Sequence, residues 1–236
     1  MKCWLAIVLL GCAVLVAARF GFLGALIAFT FVMNTIGRGI TETFAVFLLP
    51  VEKALAVDRA TIAATYSIFM LSYGLAAPFA GQIMDRLGAR VCYTIGLLSL
   101  GGGYLLASTA QSIVLYTFCV GVLGGIATAT LGMVTASSLI ARWFTQGIGL
   151  ASSIPYAAVG FGMLVFPPVT QILLGYYDWR TVYQLLGLFA LAALALLFVL
   201  PLGTYSRGSD TWRAMRMEAR QSVSGGWTVS SAVRTG

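Results

Sequence analysis

Apolar positions in this chain come in long runs broken by a few tightly grouped polar ones. No charged residue lies between Arg59 and Asp85, Arg90 and Arg142, Arg142 and Asp178, or Arg180 and Arg207, gaps of 25, 51, 35 and 26 residues. A helix needs about 20 apolar residues to cross a hydrocarbon core of about 30 Å. The gaps therefore predict one, two, one and one crossings, the longest dividing at the polar turn Ser108-Thr-Ala-Gln-Ser112. With an earlier apolar run, six spans are expected near Phe22–Leu49, Ala60–Ala80, Val91–Ser108, Ile113–Ala141, Gly147–Leu174 and Thr181–Leu200. Lipid admits only helices and closed barrels. These runs are too long and continuous for alternating barrel strands, so the fold class expected is all-α, a polytopic bundle of six transmembrane helices.

Composition agrees. Of 236 residues 60% are hydrophobic and only 9% charged, with a mean hydropathy of +0.95, against about 25% charged in soluble domains. A soluble enzyme and a disordered chain are both excluded. The chain has no histidine, which removes histidine bases, triads and histidine metal sites. The four cysteines lie scattered in apolar stretches without a CxxC spacing, and read as buried free thiols. No G-x-x-x-x-G-K-[ST] phosphate loop occurs. No enzyme activity, cofactor, metal or nucleic-acid partner is expected.

The net charge of +7 reads as topology. If the second-to-third and fourth-to-fifth loops and both flanks face the cytoplasm, that side holds ten Lys and Arg residues and the other side only Lys53, Arg59 and Arg180. Such positive-inside asymmetry places both ends of the six-helix unit in the cytoplasm of a cell whose plasma (inner) membrane it crosses. The chain divides into three regions: 1–21, a signal-like apolar extension closed by Arg19; 22–201, the six-helix unit; and 202–236, an Arg- and Ser-rich cytoplasmic loop or tail in which Arg213–Arg220 offers a short surface helix. Gly121-xxx-Gly125 in the fourth span predicts close helix packing, and Pro167-Pro168 predicts a kinked or softened outer half of the fifth.

Two charges fall inside a span. Arg38 lies about 24 Å along the helix from Phe22, and Glu42 comes four residues later on the same face. An intramembrane charge costs about 2.5–3.5 kcal/mol on insertion scales and faces a cavity or a partner. Two readings fit: Arg38 binds a substrate carboxylate while Glu42 carries a coupling proton, or the two neutralise each other and pin the helix. Asn34, Thr128 and Tyr156 are further candidates for the pathway, though hydroxyls in helices commonly bond back to their own backbone.

The segment Gly81-Gln-Ile-Met-Asp85-Arg86-Leu-Gly88-Ala-Arg90 joins the second and third spans. Gly81 lets the second helix end against a neighbour, Gly88 permits a tight reversal, and Asp85 sits where a helix N-terminus stabilises an anion. The pattern closely resembles the signature loop of the major facilitator superfamily. That resemblance implies a conformational latch in which Asp85 holds a helix of an opposite half. Trp143-Phe144, Gly149-Leu150-Ala151, Pro167-Pro168 and Asp178-Trp179-Arg180 are similar to the monocarboxylate and oxalate/formate branch. Here Gly147-Ile148 replaces the basic residues that usually precede the Gly-Leu-Ala. The fourth span also lacks the arginine of many proton-coupled relatives.

The resemblance implies half of a twelve-helix secondary transporter, built as two inverted three-helix repeats. Gly81-xxx-Asp85-Arg86 after the second span and Gly175-xx-Asp178-x-Arg180 after the fifth echo that repeat. The expected function is alternating-access movement of a small organic anion such as a monocarboxylate, coupled to protons or counter-anions. The expected partners are that substrate, the bilayer, and a missing second half or a second copy. A non-transporting scaffold or assembly subunit and an exporter of drugs or metabolites are the alternatives.

Overall fold

The computed structural model describes residues 4–144, 148–199, 212 and 217. Every regular element among them is helical. The tail 202–236, save Trp212 and Met217, lies outside the described residues, as does the loop 145–147.

The first span consists of α1 (Trp4–Glu42) and α2 (Phe44–Leu55), the second of α3 (Arg59–Arg86), the third of α4 (Ala89–Ser108). The fourth strings together α5 (Ile113–Tyr116), a π-helical stretch Thr117–Leu123, α6 (Gly124–Leu131) and α7 (Met133–Ala141). The fifth is α8 (Ile148–Leu174), and the sixth joins α9 (Trp179–Ala192) to α10 (Leu194–Val199). Five of these stretches are long and apolar enough to cross a membrane. The sixth expected crossing is the α9–α10 pair.

Several boundaries have local chemical causes. Ser112 caps α5, its hydroxyl accepting from the Leu115 amide, and Asp178 caps α9 by accepting from the Arg180 amide. Gly88 has φ 87°, a conformation glycine adopts without Cβ strain, so the predicted reversal is present. The first span, Leu23–Leu55, runs past its expected end. Helix α1 runs without a break from Trp4, so the backbone of the apolar extension continues the first span. Past a turn at Thr43, α2 carries the span to Leu55 through Pro50. In the fifth span α8 stays one helix through Pro155, Pro167 and Pro168.

The packing repeats by an approximate two-fold exchange. The first span packs on the fifth, the second on the fourth, and the third on the sixth. Swapping first with fourth, second with fifth and third with sixth maps this set onto itself, as two inverted three-helix repeats require. Backbone breaks obey the same exchange: the first span turns at Thr43 and the fourth at Gly132, whose ψ of −159° leaves the helical region. At the third–sixth crossing a Cβ on Gly101 would meet the Gly187 carbonyl at 2.9 Å, and one on Gly187 would meet the Gly101 carbonyl at 2.9 Å. The symmetry is approximate, because the third span also packs heavily on the fourth without an equal sixth-to-first contact.

Burial separates the spans. In the most apolar window 67% of the first span is buried and 56% of the third and fourth, but only 17% of the second and 22% of the fifth. These last two are equivalent under the repeat. Gly121 and Gly125 press against the second span, where Cβ atoms would meet the Thr65 carbonyl at 3.3 Å and the Phe69 carbonyl at 2.8 Å. This is the close packing their spacing predicts.

Candidate transport site and latch loop

Glu42 is the last residue of α1, and Arg38 stands one turn before it. Arg38 Nη2 lies 3.0 Å from Glu42 Oε1, with the two side chains 20% and 17% exposed. The approach is off-line, so Oε1 has a charge contact but no aligned hydrogen bond. Tyr66 of α3 donates its hydroxyl to Oε2 at 3.5 Å, the outer limit of such a bond. The pair forms as the four-residue spacing predicts, and each charge reduces the insertion cost of the other.

The break beside Glu42 has its own support. The Ile40 carbonyl, freed as α1 ends, accepts from the buried Tyr104 hydroxyl at 3.0 Å and from the Thr43 hydroxyl at 2.6 Å. Behind it Tyr104, Tyr183 and Phe47 cluster, with Tyr116 and Tyr183 hydroxyls 2.8 Å apart. Sequence reasoning did not select Tyr104. Its only signal was a tyrosine within the glycine-rich third span.

The other pathway candidates are not gathered around the pair. Asn34 is fully buried one turn below Arg38; its amide donates to the Thr30 carbonyl at 2.9 Å, while its Oδ1 has no partner. Thr128 is buried and bonds back to the Gly124 carbonyl at 2.9 Å. Tyr156 on α8 is 62% exposed. Neither Thr128 nor Tyr156 bonds to the ion pair.

At the other end of α3 the loop carrying Asp85, Arg86, Gly88 and Arg90 forms a second ion pair. Asp85 Oδ1 lies 2.8 Å from Nη2 of Arg142, which also donates to the Met84 carbonyl at 3.2 Å. Arg142 is nearly buried while the Asp85 side chain is 54% exposed. The Trp212 ring lies over the guanidinium at 5.2 Å. Asp85 thus closes on the end of the fourth span within the same unit, a partner the loop pattern did not name. The available signal was that Arg142 is the first charge after the 51-residue gap. Arg90 donates to the Leu197 carbonyl at 3.0 Å, tying the loop to α10, and Arg86 is exposed. At Gly81 a Cβ would meet Val134 Cγ1 of α7 at 3.8 Å, an ordinary contact.

Asp58 precedes α3 outside the spans and accepts the Thr61 hydroxyl. That bond lowers the Asp58 pKa from its ordinary value. Among the described residues no group of three or more His, Cys, Asp or Glu gathers to hold a metal.

The Major Facilitator Superfamily description matches residues 9–231. Among curated proteins the chain is 30% identical over 171 residues to the "Uncharacterized MFS-type transporter YcxA" of Bacillus subtilis, covering 72% of this chain and 42% of that one. It is 27% identical over 166 residues to "Monocarboxylate transporter 12-B" of Danio rerio, covering 70% and 35%. To "Riboflavin transporter RibJ" of Trypanosoma brucei brucei it is 28% identical over 172 residues, covering 71% and 31%. The chain thus matches less than half the length of each.

Proposed function

The chain belongs to the Major Facilitator Superfamily, and from that premise we propose that it forms the first six-helix half of a secondary transporter for a small organic anion, with a monocarboxylate as substrate. The observation that carries this reading is the Arg38–Glu42 pair in the first span, 3.0 Å apart and incompletely hydrogen-bonded. Arg38 is the cation that receives the substrate carboxylate. As it does so Glu42 loses its counter-ion, and taking up a proton relieves the unpaired charge. Anion and proton then cross together as one neutral unit, avoiding the cost of an uncompensated charge in lipid.

The cytoplasmic ends of the spans carry the latch, with Asp85 anchored by Arg142 and half-exposed for a second contact on the opposite half. The sparsely buried second and fifth spans are the faces that such a half covers, whether it lies on the same polypeptide or on a second copy. The relatives called monocarboxylate transporters support the substrate class. The one called a riboflavin transporter names the competing class.

Uptake of a labelled small monocarboxylate into proteoliposomes holding the full-length protein tests this. Saturable uptake that Arg38→Met and Glu42→Gln each lower about tenfold or more, with both variants retaining the helical signal and monodispersity, is the expected outcome. Unchanged uptake in the two variants removes the site. Uptake of riboflavin in preference to any carboxylate replaces the substrate.

A further inference from the structure

A second polar feature lies beside Glu42 and is not used by carboxylate binding. Thr41, Thr65, Tyr66 and Tyr104 bring four hydroxyl-bearing side chains to a small recess, with Phe44 and Phe69 among its apolar walls. It is wide enough for about one water molecule. Its hydroxyl protons are largely committed elsewhere. Tyr104 donates to the Ile40 carbonyl at 3.0 Å, Thr41 to the Gly37 carbonyl at 2.9 Å, and Thr65 shares one bond of 2.8 Å with Thr117. Tyr66 donates out of the recess to Glu42 Oε2. Each oxygen keeps lone pairs, so the recess suits a water that gives its protons away, or a protonated water.

The fold holds this arrangement in register. The Tyr66 ring stacks between Phe44 and Phe69, at 5.6 and 5.4 Å, so its hydroxyl is fixed by packing. Thr117 opens the π-helical stretch, a local unwinding that recurs at functional sites. There its hydroxyl meets Thr65 across the second–fourth contact. Among the described residues, the charged and titratable groups that interact with Glu42 are Arg38 on its own helix, Tyr66 on α3 and Tyr104 on α4, and α8, which packs on α1, carries no charge. The fourth-span helices facing the recess carry no charge.

We propose that Tyr66 is the relay through which Glu42 gains and loses its proton, fed by a water in the recess held by Thr65, whose hydroxyl is fixed by its bond to Thr117. The Tyr66 O–H passes its proton to Glu42 Oε2 as the phenolic oxygen takes one from that water, which is restored by proton transfer from bulk water. One proton moves, and Tyr66 ends as it began. The inference rests on reading Glu42 as the proton carrier.

A pH jump followed by infrared spectroscopy of the carboxyl stretch, on the full chain in lipid nanodiscs, tests it without transport. Glu42→Gln identifies the Glu42 band. Tyr66→Phe keeps the stacked ring and is expected to slow the appearance of that band about tenfold at unchanged amplitude. Thr65→Val, which preserves shape, is expected to slow it by a smaller factor. Equal rates in wild type and Tyr66→Phe overturn the relay. Absence of any band sensitive to Glu42→Gln overturns both the relay and the proton role of Glu42. A relay that behaves as expected while uptake fails leaves the relay standing and sinks only the transport reading.

Discussion

The two ion pairs are built differently. Arg38 and Glu42 are one helical turn apart on α1, so helix geometry alone brings them within reach. Its members remain one-sixth to one-fifth exposed, and one carboxylate oxygen lacks an aligned donor. Arg142 and Asp85 lie 57 residues apart in sequence and join the second span to the fourth. There the cation is nearly buried and bonded a second time to the Met84 carbonyl. A pair that is local, short of donors and partly open can be broken and remade at little cost to the fold. A pair that is non-local and buried on one side holds two helices together. The first suits a binding site, the second an anchor.

The largest effect that separates them is functional. Arg38→Met is expected to lower the rate of carboxylate uptake about tenfold to a hundredfold, the loss of one charge-assisted bond, with no comparable change in midpoint in a denaturant titration. At the anchor the order reverses. Asp85→Ala removes the anion from a nearly buried guanidinium and is expected to cost about 2–3 kcal/mol of stability. That is below the 3–5 kcal/mol of a wholly buried pair, because Asp85 is half-exposed. Denaturation of the purified chain in detergent measures it.

Exchanging the charges sharpens the contrast. Arg38→Glu with Glu42→Arg restores an i, i+4 pair in the more favourable order and is expected to hold stability within about 0.5 kcal/mol, while abolishing anion uptake. Asp85→Arg with Arg142→Asp is expected to lose about 2 kcal/mol, since an aspartate at 142 has no donor for the Met84 carbonyl and sets two acceptors against each other. Equal outcomes for the two exchanges erase the distinction between site and anchor.

The smallest effect is expected at a carboxylate belonging to neither pair. Thr61 bonding lowers the Asp58 pKa from its ordinary value. This contribution to the start of α3 is therefore complete above the unfolded value of about 4, and is lost as pH falls through the lower folded value. Hydrogen exchange of the first-turn amides of α3, corrected for intrinsic rates, is expected to show protection falling in that acid window. Thr61→Val should weaken this pH dependence, since the hydroxyl is its largest cause.

Much of the architecture was legible in the chain. The charge-free gaps placed the spans to within a few residues at most ends, because transfer of apolar side chains into lipid is additive along a helix. The Arg38–Glu42 pair was equally legible, since helical geometry alone brings i and i+4 together. Asp85 was readable as a loop residue, but Arg142 as its partner was not, nor was Tyr104 as the support of the break at Thr43. Thr128 and Tyr156 were selected by residue type alone. The fold gave one a bond to its own helix and left the other largely exposed.

By itself, then, the sequence determined the features that depend on neighbours along one helix: which segments cross, where they turn at Gly88 and Ser112, and that two opposite charges meet inside the first span. Tertiary structure alone decided which helices touch. The first packs on the fifth and the second on the fourth, so the Tyr66 hydroxyl comes to Glu42 and the Asp85 carboxylate to Arg142. These meetings depend on the close approach of backbones at glycines such as Gly125 and Gly101 and on turns at Thr43 and Gly132. Such contacts arise between residues tens of positions apart, where no local periodicity records them.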